Sequence, residues 1–200
     1  HRKTRRQTGD VVAIGIQMGA VEDLKGTTYR LATTDEYIGQ FALDATFDSE
    51  SLFEIANSQS DNQSWDSLSY LYHWWGYADM IATLDYIDLL DQNWDDIRWT
   101  FVCNERGQQW WINKYPGPQY WTPAVYNNLV VLRLSEVYLN AAEAGVKGGG
   151  DKAKALEYLN AIVSRCTPGM TVAESDFTLD RVLDERRLAV ARRTLGEGLC

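Results

Sequence analysis

The clearest alternation of apolar and polar positions runs from Val130 to Cys166, where two helix-periodic segments face each other across a break. In the first, Leu134, Val137, Tyr138, Ala141 and Ala142 recur at three- and four-residue spacing and line one helix face, while Glu136, Asn140 and Glu143 fall largely off it. Gly148, Gly149 and Gly150 interrupt the pattern, because glycine loses the most backbone entropy on ordering. Asp151 follows as an N-cap for a new helix from Lys152. That second arm carries Ala155, Leu156, Leu159, Ile162, Val163 and Cys166 at the same spacing and ends at Pro168-Gly169. Two arms and a turn span about the 34 residues of one tetratricopeptide-type unit. One such unit cannot cover its own apolar face, so other elements must.

Elsewhere the pattern is weaker. Val11 to Leu24 places Val11, Ile14, Met18 and Val21 on one helix face, Met80 to Leu90 predicts a short helix, and Asp176 to Gly198 predicts a closing helix near 179–194. The closing helix carries Leu179, Val182, Leu183 and Val190 on one face, with Asp184, Glu185, Arg186 and Arg187 mostly on the others. Ser49 to Asn57 alternates Leu52, Glu54 and Ala56 against Phe53 and Ile55 and reads as a strand. Phe101 to Cys103 and Trp110 to Ile112 flank the turn-like Asn104-Glu105-Arg106-Gly107 and read as a β-hairpin. The predicted fold class is mainly α: a tetratricopeptide-like hairpin packed with loop-rich segments and a small β-hairpin.

Ser58 to Tyr77 sustains neither period and reads as a loop rich in rings: Trp65, Tyr70, Tyr72, Trp74, Trp75 and Tyr77. Sugar rings bind by laying their C–H faces on aromatic rings, while Asp, Asn and Gln hydrogen-bond the hydroxyls. Trp65, Trp74, Trp75 and Tyr77, with Asp61 and Asn62, are therefore the candidate ligand-binding residues. The alternative is that these rings fill gaps beneath a long loop, since each buries a large apolar area.

Three ordered blocks, RLSEVYLNAAEA at Arg133–Ala144, ALEYLNAIVSRC at Ala155–Cys166 and LDERRLAVARRTLGEG at Leu183–Gly198, resemble the carboxy-terminal part of the SusD/RagB family. SESLFEI at Ser49–Ile55, the pair Asp96 and Arg98, and NKYPG at Asn113–Gly117 extend the resemblance, which covers about Val21 to Gly198. It implies a SusD-like α/α superhelical fold, here incomplete. It also implies a surface-exposed outer-membrane lipoprotein of Bacteroidota that binds oligosaccharides or peptides without cleaving them and hands them to a SusC-like TonB-dependent transporter. The resemblance places Asp96 and Arg98 where their segment anchors to the body, a structural pairing. It implies a single domain over 1–200, with a lead at 1–20, a loop-rich ligand side at 49–126, the hairpin at 130–166 and a closing helix at 178–195. The family pattern continues past Gly198, so the chain reads as a fragment, with the lipid-bearing cysteine expected outside it.

Composition narrows the chemistry. A formal net charge of −9 opposes binding to polyanionic nucleic acid, and a hydrophobic fraction of 45% is enough for a core. Cys103, Cys166 and Cys200 lie far apart without metal-ligand spacing. They are compatible with free thiols or one disulfide, and Cys166 sits on an apolar helix face as a small buried hydrophobe. His73, the one internal histidine, has no nucleophile motif around it. Asp61, Asp66, Asp79, Asp85, Asp88, Asp91, Asp95 and Asp96 supply many carboxylates for a glycosidase pair, whose separation a sequence does not reveal. No catalytic residue, metal or cofactor is expected. Calcium on Asp44 to Glu50 lacks the EF-hand spacing.

Overall fold

The structure, a computed structural model, describes residues 19–25, 27–46, 48–104, 109–119, 122–148 and 150–189. Helix α1 covers residues 19–25 of these, followed by α2 (Thr34–Tyr37), strand β1 (Ser51–Ile55), α3 (Leu68–Tyr72) and α4 (Leu84–Asp91). Then come β2 (Val102–Cys103), β3 (Trp111–Ile112), β4 (Leu129–Arg133), α5 (Leu134–Gly148), α6 (Lys152–Cys166) and α7 (Leu179–Ala189). The helix predicted from Val11 is described only in α1, and Val11, Ile14 and Met18 lie outside the described residues.

α5 and α6 form the predicted hairpin. Their facing sides bury Leu134, Tyr138, Leu139, Ala141 and Ala142 against Ala155, Tyr158, Leu159, Ile162 and Val163, with Cys166 also buried on α6. The Asp151 carboxylate accepts the Lys154 N–H at 3.0 Å, the expected N-cap. Gly148, the first of the three glycines, still belongs to α5. Val130 to Arg133, counted with the hairpin in the sequence, are strand and not helix. The β-branched Val130 and Val131 belong to β4, where Val130 pairs with Glu54 of β1, and the chain turns helical only at Leu134. Val21 from α1, Val172, Phe177, and Val182 and Ala189 from α7 close over the hairpin in one core.

α7 carries a correction. Glu185, assigned to the polar side, is 1% exposed. Its carboxylate accepts from Arg98 Nη1 at 2.7 Å and from Arg181 at 3.1 Å. Arg98 in turn holds Asp96 through Nε at 2.8 Å and Nη2 at 2.5 Å, the expected pairing, now joined to α7. A buried charge persists only where such partners replace water.

β1 and β4 form an irregular antiparallel pair, and β2 and β3 form the small predicted hairpin. In β1 the apolar face points outward: Phe53 and Ile55 are half exposed while Glu54 is buried, its carboxylate accepting from Asn128 Nδ2 at 2.9 Å. Glu50, just before β1, is wholly buried and bound by Arg165 at 2.6 Å and by the Ala32 N–H at 3.1 Å. Cys103 and Cys166 are both buried, and Cys200 lies outside the described residues. Asp48 Oδ1 accepts from the Glu50 and Ser51 N–H groups, so within the acidic stretch it caps a turn.

Candidate functional site

The loop predicted over Ser58 to Tyr77 contains local order that its composition did not announce. A 3-10 turn spans Ser64–Asp66, and α3 follows because the Ser67 hydroxyl caps it, accepting from the Tyr70 N–H. The same serine donates to Ala124 O at 2.7 Å. Ser69 donates to Tyr115 O at 2.8 Å and accepts from Ala124 N. These bonds tie the segment down at its middle. Its carboxy-terminal end is tied back onto α3 by backbone bonds from Tyr77 N to Tyr70 O and from Met80 N to Leu71 O.

Ser64 (φ 51°) and Ala78 (φ 57°) are, among the described residues, the two non-glycine positions with positive φ. They bracket the aromatic run from Trp65 to Tyr77. Left-handed backbone at such residues is disfavoured by about 1–3 kcal/mol and collects where a structure must hold an unusual shape. Gly76 is required for another reason. A Cβ there would stand 2.2 Å from the Tyr70 carbonyl oxygen, so only glycine lets the chain fold back on α3.

The rings fall into two groups. Trp65 lies nearly parallel to Tyr70, centroids 6.4 Å and planes 24° apart, and Tyr70 meets Tyr77 at 6.0 Å. Trp74 packs on Trp75 at 4.6 Å and stacks at 20° on His73. Exposure then separates the candidates. Trp65 is 64% exposed, Trp75 57% and Tyr77 49%, whereas Trp74 is part-buried, Tyr72 belongs to a core cluster and His73 is buried. Asp61 is exposed. Asn62 donates to the Ser58 and Gln59 carbonyls and accepts from Ser64 N, so both ends of its side chain shape the turn that carries Trp65. Trp121, another ring in the sequence, lies outside the described residues.

Beneath the loop a cavity of about 20 Å³ is lined by Asn57, Gln63, Ser67, Tyr115, Asn127 and Asn128 among others. Asn127 Oδ1 is buried there without a protein partner. The space suits a water and not a sugar ring.

A second group of rings went unread in the sequence. Trp94 and Trp99 stack in parallel, centroids 4.8 Å and planes 4° apart, and Trp99 also meets Trp110 at 5.7 Å. The segment between α4 and β2 carries Trp94 and Trp99. Its only local signal is the pair of indoles five residues apart, which no helix or strand period brings together.

The sequence profile of the SusD family matches residues 100–191. Among solved structures, a SusD superfamily protein from Bacteroides vulgatus is 39% identical, with a TM-score of 0.84 over 92% of this chain and 42% of that one. A second Bacteroides vulgatus protein, provisionally named for sugar binding, is 36% identical with a TM-score of 0.77 over 88% of this chain and 40% of that one. The surface glycan-binding protein A of Bacteroides thetaiotaomicron, solved with laminarihexaose, is 19% identical. It has a TM-score of 0.63 over 91% of this chain and 48% of that one, a likeness of fold. A search of curated proteins returned no match. The helical hairpin, the closing helix and the small strand pairs define a SusD-like helical fold. The chain belongs to the SusD family, and it spans about two-fifths of the length of the first two structures it resembles.

Proposed function

We propose that this chain forms the ligand side of a non-catalytic nutrient-binding protein that captures oligosaccharides at the cell surface. In this reading it delivers them to a SusC-like TonB-dependent transporter in the outer membrane. The observation that carries the binding reading is the ring surface of Trp65, Trp75 and Tyr77, half or more exposed on a segment pinned by side-chain and backbone bonds. An indole held in place offers a flat apolar face to the C–H side of a pyranose with little ordering still to be done on binding. Asp61, Gln63 and Asp66 stand exposed on the same stretch as groups for the hydroxyls. The 36%-identical relative provisionally named for sugar binding supports a glycan over a peptide.

Attachment to the outer membrane is through a lipid anchor in this proposal. Among the described residues no helix is long and apolar enough to cross a membrane. The test is calorimetry of the full-length protein with a set of soluble oligosaccharides and peptides, alongside an assay for new reducing ends. The expected result is saturable binding of a glycan with no reducing ends released. Binding of peptides alone would assign the protein to peptide capture, and release of reducing ends would make it a glycan-cleaving enzyme.

A further inference from the structure

We propose a second site for a single sugar ring at Trp94, outside the Ser58–Tyr77 segment in sequence, whose chain neighbour Asn93 lines a cleft between α4, the end of α6 and α7. Trp94 is 72% exposed, yet its ring is not loose. One face lies flat on Trp99, whose indole N–H donates to the Asn93 carbonyl at 3.2 Å and whose ring rests against Trp110. The backbone before it is fixed as well: Asn93 Oδ1 accepts from Asp95 N, and Asn93 Nδ2 donates to Thr167 Oγ1 at 3.2 Å. One indole face is thus covered and ordered while the ring as a whole stays largely open to solvent. A single exposed apolar residue is ordinary on protein surfaces, but an indole stacked in parallel and exposed to this degree is a preformed platform.

The second observation is the cleft that Asn93 helps to line, about 160 Å³, with Gln92, Thr167, Arg181 and Asp184 around the buried Arg98–Glu185 pair. Asn93 belongs to both features, since its carbonyl holds Trp99 while its side chain lines the cleft. The volume is below the roughly 300–1,000 Å³ of pockets that take drug-sized ligands, which limits the occupant to about one ring. A pyranose has one apolar face, which the open indole would meet, and hydroxyls around its rim, which the amides, carboxylate and guanidinium of the cleft would meet. This inference shares the glycan class with the proposed function but does not depend on the loop.

The test incorporates 5-fluorotryptophan into the full chain and assigns the Trp94 and Trp75 fluorine resonances with Trp94→Phe and Trp75→Phe variants. The probes are laminarihexaose, maltohexaose, xylohexaose and mannohexaose. The expected result is a saturable shift of the Trp94 resonance with at least one of them, retained in the Trp74→Ala/Trp75→Ala variant. Trp94→Ala should weaken binding at this site at least fivefold, with an unchanged melting temperature. A Trp75 response without a Trp94 response overturns this site and leaves the loop standing, and the opposite pattern removes the loop and leaves this site. Silence at both positions overturns both. A Trp94 shift with a proline-rich peptide and with none of the sugars overturns the ligand class.

Discussion

The Nδ1 atom of His73 accepts the backbone N–H of Trp75 at 3.1 Å, so a buried imidazole holds the peptide unit that carries one of the most exposed rings of the loop. A ring nitrogen that accepts carries no proton, which places the hydrogen of the neutral ring on Nε2. The same imidazole stacks on Trp74. His73 thereby acts on the tryptophan pair without offering a face to solvent.

Replacing His73 by alanine removes the acceptor of the part-buried Trp75 N–H and empties the space of a buried imidazole, which is expected to destabilise the fold by about 1–3 kcal/mol. His73→Asn sets an oxygen near the position of Nδ1 and should recover most of the loss. In calorimetry with the bound oligosaccharide, alanine should lower affinity about tenfold and asparagine much less. Equal losses for both variants would show that the imidazole ring itself, and not the bond to Trp75, is what matters.

Trp65→Ala and Trp75→Ala remove rings that are mostly in solvent, so neither should move the melting temperature by more than about 2 °C. By analogy with base stacking, about 1–3 kcal/mol per ring, each should weaken glycan binding between about fivefold and a hundredfold. Trp74→Ala with Trp75→Ala should lose more. An unchanged affinity in the double variant, with its fold intact, would reassign the pair to packing.

Gly145 tests the hairpin. A Cβ there would stand 2.2 Å from the Ala155 Cβ, so α5 and α6 approach each other through a residue with no side chain. Alanine is the better helix former by about 1 kcal/mol. Overpacking of about 1–3 kcal/mol should nevertheless win, and urea unfolding of Gly145→Ala should show a net loss of stability.

Arg98→Met should be among the most damaging single changes in the body of the protein. It strands Asp96 and Glu185, 5% and 1% exposed, without their shared cation. Breaking one partner out of a buried pair costs about 3–5 kcal/mol. Arg98→Met combined with Glu185→Leu should regain part of that loss in the same urea titration, because the second change removes one of the stranded charges.

Stability should fall in acid. Burial pushes the Glu50 carboxyl up, but Arg165 and Arg133 beside it hold it at about 2, below its ordinary 4.5. Glu185, also buried, is likewise held low by Arg98 and Arg181. The unfolded chain therefore takes up these protons first as pH drops. The stabilisation is complete above about pH 4.5 and drains away as pH falls toward 2. Melting temperatures measured from pH 7 to pH 2 should show this decline, and Glu50→Gln should flatten part of it.

The amino-acid sequence by itself determined the elements whose information is local. The period of Leu134, Tyr138 and Ala142 and of Ala155, Leu159 and Ile162 set the two arms of the hairpin. Asp151 set the start of the second, because an N-cap acts within one turn. The aromatic composition of Ser58–Tyr77 marked a candidate surface for the same reason, although it did not tell exposed Trp75 from part-buried Trp74. Only the tertiary structure decided which face each element turns inward. Glu185 is buried because Arg98, 87 residues earlier, replaces the water it loses, and Glu54 displaces Phe53 from the interior because Asn128 meets it. The His73 bond, the left-handed Ser64 and Ala78 and the Trp94–Trp99 stack belong to the same category. A repeat of apolar positions states which residues share a face, but burial of a charge or ordering of a ring depends on partners that chain folding alone brings within reach.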